Sequence, residues 1–504
     1  MRVALVAPQW NKLVNSYPPL GLGYLAAVLE QQGQEVAIFD LGLDPQKSPD
    51  EAVEPILSFG PDVVGVTAMT NNYRSAQEMM ALVHRDLDCP IVLGGPHATL
   101  FPEELVQEAA TSYVVEGEGE ATLSELVAAM ERSDGQPSPD VLAGIAGLTW
   151  TRDGCVVRNR TRPLLTDLDA LPFPSRRLFP LDRYGLSAPD GAPMATVLSS
   201  RGCPYCCSYC FKGIVGRTYR QRSPENVLRE LDHLRGDHGY EHIYFVDDLF
   251  TFDRERLNAI CDGLIASSMN LRWQCLARVD RVDMDILIKM QTAGCREIHY
   301  GIESGNPDIL RRLGKGITMD QVREAVAATA GAGILAKGYF MLGLPGDTAE
   351  TMQQTIDFAG ELALDEAMFS LTTPFPGTRL WDELLRRDPA VVQNLDLERA
   401  FYYVGDEEGL APLLNLSQVD DSELVRIVTR AQESFQEAKR RRKYVRALGS
   451  PLGRAVYSLS TNPTVRRLGH ALLNSNVGRS LREGGRLADL GSYNMSEELS
   501  QRWT

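Results

Sequence analysis

Through roughly the first 130 positions, short apolar runs alternate with longer stretches whose apolar side chains return every third or fourth residue. The runs suit strands covered on both faces, and the stretches suit helices with one apolar stripe. Strands are expected at 2–7, 35–40, 62–68, 90–95 and 112–115, with helices such as 22–32 and 75–87 between them. Ser75-Ala-Gln-Glu78 has capping-box spacing, which would satisfy the free amides of a first helical turn. This alternation gives a parallel, doubly wound sheet, and ligands of such sheets sit outside the carboxyl ends of the strands. Those ends carry Thr67-Ala-Met-Thr-Asn-Asn72, Gly94-Gly-Pro-His-Ala-Thr99 and Glu116-Gly-Glu-Gly-Glu-Ala-Thr122. A backbone without bulky side chains lets a large flat ligand come close, although tight α/β loops use the same residues for turning alone.

Residues 134–193 read as a connector broken by prolines at 137, 139, 163, 172, 174, 180 and 193. Within it, Trp150-Thr-Arg-Asp-Gly-Cys-Val-Val157 has the form of a hairpin turning at Asp153-Gly154. The segment is too apolar for a free tether and is expected to pack on the units before and after it. From 195 onward the alternation resumes, with strands at 195–200, 242–247, 272–278, 297–303, 337–344 and 367–373. Six parallel βα units make an incomplete barrel. Ser223-Pro224 supplies a capping hydroxyl and a first-turn proline for its first helix. The fold class is thus α/β: a Rossmann-like domain at 1–133, the connector at 134–193, a partial (β/α)6 barrel of the TIM type at 194–384 and a mainly helical region at 385–504.

Barrel enzymes place reactive groups at the carboxyl ends of their strands. Here those ends hold Asp247 and Asp248, Arg278, Glu303 and Ser304, and Gly343-Leu-Pro-Gly346. Just after the first strand comes Arg201-Gly-Cys-Pro-Tyr-Cys-Cys-Ser-Tyr-Cys-Phe211. Cys203, Cys207 and Cys210 would give a four-iron cube three thiolate ligands and leave one iron open, where electron-carrying clusters normally take four. Cys206 also allows the register C-x2-C-C-x2-C. Zinc would call for a second ligand pair some ~15 to 20 residues on, which the sequence lacks, and no ferredoxin-type continuation follows Cys210.

A formal charge of −16 argues against a general nucleic-acid binder, and no apolar run has the length of a membrane span. Nine cysteines behind an opening that reads as a buried strand, and not as a signal peptide, point to a reducing cytoplasm.

The cysteine loop resembles the signature of the radical S-adenosylmethionine (SAM) enzymes. As far as about residue 385, the chain resembles the subgroup that carries a cobalamin-binding domain ahead of the radical SAM core. That resemblance implies a 4Fe-4S cluster on Cys203, Cys207 and Cys210, with SAM chelating the open iron and Tyr209 against its adenine. It further implies Asp247 and Asp248 at the SAM amino group, Arg278 at its carboxylate, Glu303 and Ser304 at its ribose, and Gly343, Leu344 and Pro345 at its adenine. SAM's ammonium, carboxylate and diol make those partners chemically sensible, though each could separately be an ordinary ion pair.

On the first domain, with Pro18-Pro-Leu-Gly-Leu-Gly23 added, the resemblance implies cobalamin contacts at Leu20, Gly21, Thr67, Thr70, Asn71, Gly94, Gly95, His97, Glu118, Gly119 and Glu120. The family's histidine motif Asp-x-His-x-x-Gly is missing; the corresponding stretch Phe39-Asp-Leu-Gly-Leu-Asp44 has no histidine. The resemblance therefore implies cobalamin without an axial histidine, and His97 reads more plainly as a loop residue than as a contact.

The activity implied is methyl transfer to an unactivated carbon of a small natural-product or lipid-like molecule by way of a 5′-deoxyadenosyl radical. An outside electron donor such as flavodoxin or ferredoxin would be needed. Two other readings stand beside it: the same machinery used for oxidation, rearrangement or ring formation, and a non-catalytic cobalamin sensor. The carboxyl-terminal region, with Phe401-Tyr-Tyr403 and Lys439-Arg-Arg-Arg-Lys443, is expected to cap the substrate. Its basic run is either a solvated helix face or an attraction for an anionic substrate or a membrane surface.

Overall fold

The computed structural model describes residues 1–10, 17–188, 190–400 and 411–448, together with Arg454 and Tyr457. β1 (Arg2–Ala7), β2 (Glu35–Asp40), β3 (Val63–Thr67), β4 (Ile91–Gly94) and β5 (Tyr113–Val115) form a parallel sheet in the order β2-β1-β3-β4-β5. Alternate residues of β1 serve two separate cores. Val3, Leu5 and Ala7 meet the helices Leu20–Gln31 and Glu120–Arg132, while Ala4 and Val6 meet Pro49–Phe59 and Tyr73–Asp86. Burial on both faces explains why these strands read as apolar runs.

Two expectations change here. The hairpin assigned to the connector is β6 (Leu148–Arg152) and β7 (Cys155–Arg158), and it extends the first sheet through antiparallel pairing of Val115 with Leu148. β5 is short and its outer edge would otherwise be bare, so the hairpin covers unpaired backbone groups. The capping box at Ser75 does not form: its helix starts at Tyr73, carried on from a 3-10 turn at Thr70–Asn72, and Ser75 lies inside the first turn.

β8 (Met194–Val197) starts the second sheet. β9 (Ser200–Arg201) and β10 (Arg220–Gln221) then pair antiparallel and bracket the cysteine loop. β11 (His242–Phe245), β12 (Arg272–Ala277), β13 (Cys295–Glu303), β14 (Leu335–Leu342) and β15 (Glu366–Leu371) follow, giving a six-stranded parallel sheet β15-β14-β13-β12-β11-β8 whose spatial order is the chain order. Ser223 accepts from the Asn226 amide at 3.1 Å and Pro224 begins the helix, the arrangement its sequence suggests. The connector touches both units: Arg183 and Tyr184 reach Asp44 and Asp40 at 2.6 and 2.9 Å, while Arg176 reaches the buried Glu230 at 2.7 Å.

The long helix Asp421–Leu448 packs Leu424, Val428, Ala431 and Phe435 into the outer core of the barrel. Two members of the basic run are committed to that packing. Lys439 donates to the Asp365 carbonyl at 2.7 Å, and Arg442 to those of Gly360 and Leu364. Phe401-Tyr-Tyr403 lies outside the described residues. Among the described residues, no helix is long and apolar enough to cross a membrane.

Candidate active site

The carboxyl ends of β3, β4 and β5 open into a cleft of about 350 Å³. Its walls include Thr67, Gly94, Gly95, Glu118, Gly119 and Glu120 from the first sheet, Gly21 from the first helix, and Leu198, Arg201, Ile214 and Val215 from the second unit. Gly95 has φ +94°, and a Cβ there would stand 2.7 Å from Thr67 Oγ1 and 2.8 Å from the Ala68 carbonyl. The position therefore requires glycine.

Leu20, Thr70, Asn71 and His97 lie outside that lining. Asn71 is buried and donates to the Ala400 carbonyl at 3.0 Å. His97 stacks on Tyr73 at 4.2 Å and bonds Thr70 through Nδ1 at 3.3 Å. Burial pushes its pKa down to about 4, so the ring is neutral at pH 7. His97 is thus held by Tyr73 and Thr70, outside the cleft lining.

Glu118 has its carboxylate turned to the cysteine loop's own hairpin. It accepts from Arg201 at 2.9 Å, from Arg220 at 2.8 and 2.9 Å and from the Leu165 amide at 2.9 Å, while Arg201 also reaches Glu120 at 2.6 Å. Burial works against the Glu118 charge, but the two guanidiniums outweigh it and hold its carboxyl below the usual range. Glu118 and Glu120 therefore lock the cleft to the loop, a job their sequence context does not reveal.

On the loop, Cys203 is buried and Cys207 and Cys210 are half-buried, whereas Cys206 is exposed. A hydrogen bond from Cys210, against the cost of burial and with help from Lys315 and Arg278, lowers the Cys207 pKa to about 6. The same contact, together with burial, pushes the Cys210 thiol up, so within this pair it is Cys207 that is drawn toward the thiolate an iron ligand must be. Among the described residues, no three His, Cys, Asp or Glu side chains converge tightly enough for a single metal ion. Three thiols on one loop at C-x3-C-x2-C spacing are the donors that such a cube takes. The chemistry of the donor set therefore fits the cluster.

Behind the thiols lies a buried polar rim. Tyr209 donates to Glu303 Oε1 at 2.9 Å, and Lys315 Nζ donates to the same oxygen at 2.8 Å. Burial disfavours the Lys315 charge, yet Glu303 and Cys207 outweigh it and raise its pKa. Glu303 stands at φ +70°, beside a bulge in β13, a left-handed backbone held by these partners. At Gly301 a Cβ would come within 2.6 Å of Glu303 Oε1, so glycine keeps this corner open. Sequence reasoning missed Lys315. Its signal was a lysine between two glycines, Gly314 and Gly316, just after a helix end.

The other expected SAM residues divide. Arg278 points at the rim but is held bidentately by Asp280 at 2.9 and 3.1 Å and donates to the Lys315 carbonyl at 3.0 Å. Leu344 packs beside Tyr209, with Gly343 and Pro345 in the same turn. Ser304 is buried against Thr355 and caps the Asn306 amide. Asp248 is exposed. Asp247 differs from expectation: it is fully buried and accepts from the Ser199 amide, the Ser199 hydroxyl and the Ser200 hydroxyl at 3.0, 2.9 and 2.5 Å. Its carboxylate fixes the strand that leads into the loop.

A doubly wound sheet and a partial barrel, meeting at a loop of three thiols, define a radical enzyme of the two-cofactor kind. Residues 10–127 match the B12 binding domain family and residues 197–359 the radical SAM superfamily. An uncharacterized methyltransferase of Pyrococcus horikoshii is 35% identical, over 78% of this chain and 85% of that protein. Cytidylyl-2-hydroxyethylphosphonate methyltransferase of Streptomyces wedmorensis is 27% identical over 84% and 87%, and the anaerobic magnesium-protoporphyrin IX monomethyl ester cyclase of Rubrivivax gelatinosus is 27% identical over 88% and 81%. The fold is shared with the radical SAM methyltransferase TsrM from Kitasatospora setae, solved with cobalamin and a [4Fe-4S] cluster, at a TM-score of 0.64 and 23% identity, covering 77% of this chain and 78% of that one. The chain belongs to the cobalamin-dependent radical SAM methyltransferases, and its cofactors are cobalamin, a 4Fe-4S cluster and SAM.

Proposed function

We propose that this enzyme methylates an unactivated carbon of a small natural-product or lipid-like molecule, with Cys203, Cys207 and Cys210 holding the cluster. One observation carries the reading: the glycine-lined cleft and the cysteine-loop hairpin share a wall, because Leu198, Arg201, Ile214 and Val215 line the same space as Gly94, Gly95 and Glu118. Bound together, the cofactors supply a radical that removes a hydrogen atom and a methyl group that replaces it. The chain's own part is holding and exclusion. Tyr209, Glu303 and Lys315, with Arg278 and the turn Gly343–Pro345, would grip the polar end of SAM. The cleft residues would grip cobalamin by shape, and the Glu118–Arg201–Arg220 lock would set the spacing between them.

Hydrogen abstraction from an aliphatic carbon needs no side-chain base, so the reading does not require a nucleophile–base pair. Anaerobic turnover with dithionite as reductant tests it. Methylation should yield S-adenosylhomocysteine and 5′-deoxyadenosine in about equal amounts; 5′-deoxyadenosine with little S-adenosylhomocysteine would favour a ring-forming or oxidative outcome instead.

A further inference from the structure

Exposed cations on this acidic chain are commonly answered by an acid. Arg85, Arg158, Arg183, Arg254 and Arg323 each have a carboxylate at 2.6–3.1 Å. Around Tyr205 and Cys206 on the cysteine loop the pattern changes. Arg217 is exposed and lies against Cys206 Sγ. Arg281, also exposed, donates to the Tyr205 hydroxyl at 2.8 Å and stands 4.8 Å from the centre of the Phe252 ring. Lys212, half-buried, follows Cys210 by two positions on the same loop. Among the described residues, none of these three makes an ion pair with a carboxylate. Arg379, which borders Gly314 together with the Cys206 carbonyl, has only Glu383 at 3.8 Å. At their centre Tyr205 and Phe252 meet edge to face at 6.3 Å, beside the exposed Cys206.

Aromatic groups ringed by cations, three of which have no carboxylate partner among the described residues, are the anatomy of a protein interface built for an acidic partner. A chain of net charge −16 repels such a partner almost everywhere. Within a Debye length of about 10 Å, a local positive patch therefore decides where and how it lands. This patch lies on the loop that carries the cluster thiols, and the Arg278 guanidinium sits over its Tyr205 ring at 3.6 Å.

We propose that Lys212, Arg217, Arg281 and Arg379, around Tyr205 and Cys206, form the docking face for an acidic one-electron carrier protein of the flavodoxin or ferredoxin type. The inference rests on the radical SAM reading of the loop. In the transfer the carrier is oxidised by one electron and the cluster reduced by one, and no bond is made or broken. Cys206 is exposed on the same loop as the cluster thiols, with the exposed Arg217 against it, so a carrier seated there adjoins the cluster through that loop.

The test uses the full-length, cluster-loaded protein and an acidic bacterial flavodoxin as probe. Reversing Arg217→Glu and Arg281→Glu together should weaken flavodoxin binding by at least about tenfold at low ionic strength, a gap that narrows as salt rises. Flavodoxin-driven SAM cleavage should fall in parallel while dithionite-driven cleavage stays at the wild-type rate. Equal binding by variant and wild type overturns the proposal. So does a raised KM for the methyl acceptor under dithionite, which would give the patch to the substrate. Absence of dithionite-driven cleavage in the wild type would sink the radical SAM reading itself, and the docking face with it. If the double variant loses its cluster, carbodiimide cross-linking of the wild type to flavodoxin decides: Lys212 should be the linked lysine, and links confined to Lys439 or Lys443 overturn the assignment.

Discussion

The two sides of the cysteine loop are built by opposite means. Toward the first sheet, the cleft presents glycines and aliphatic side chains, Gly94, Gly95, Val92, Leu123 and Val215 among them. Toward the barrel, the loop meets a buried tyrosine–carboxylate–ammonium triad of Tyr209, Glu303 and Lys315. A large flat ligand is gripped by many weak contacts, each replaceable, whereas a small zwitterion is gripped by a few strong ones whose loss strands a buried charge. Substitutions on the barrel side should therefore act steeply and singly, and those on the cleft side mildly and by accumulation.

The comparison breaks first at the thiols. Cys207→Ala should abolish the cluster's visible absorbance and reduce SAM cleavage to background; a variant that still cleaves SAM would place the cluster elsewhere. Next comes Lys315→Met, which leaves Glu303 buried without its cation. It should cost about 3–5 kcal/mol of stability, read as a lowered urea midpoint.

Glu118→Gln removes the lock between the two sides and should cost about 3 kcal/mol at neutral pH. Its pH dependence has a definite sign. The folded pKa is depressed, so the stabilisation is present above the unfolded glutamate value of about 4.3 and is lost as pH falls through the folded value. The gap between wild type and variant should thus close in acid, and a gap constant from pH 7 down through pH 3 would contradict the ion-pair account.

Gly95→Ala puts a Cβ against Thr67 and Ala68 at φ +94° and should cost about 1–3 kcal/mol, with weaker retention of cobalamin in size-exclusion runs. Val215→Ala should have the smallest effect. Losing two methyl groups from one wall should lower cobalamin affinity by no more than about tenfold, and a larger loss would mean that the cleft depends on single contacts after all.

Much of this architecture is legible in local spacing. The apolar runs mark the strands of both sheets to within a few residues, and C-x3-C-x2-C marks the loop, because burial on both faces and ligand spacing are written in neighbouring positions. Tyr209 falls beside Glu303, and Gly94 and Gly95 fall on the cleft, where the strand ends suggest. The misses are contacts between residues far apart in the chain. Asp247 looks free at a strand end until Ser199 and Ser200 fold back onto it. Glu118 and Lys315 have partners 83 and 12 positions away. The carboxyl-terminal basic run looks like one charged face, yet two of its members are tied to backbone carbonyls of the barrel's last helix and loop.

By itself the sequence determined the two α/β units and the three-thiol loop, since hydrophobic period and ligand spacing are properties of neighbours. Which carboxylates remain free for a ligand and which are consumed as struts was decided only by tertiary structure. A buried charge takes its role from the partner that compensates it, and that partner is brought near by folding.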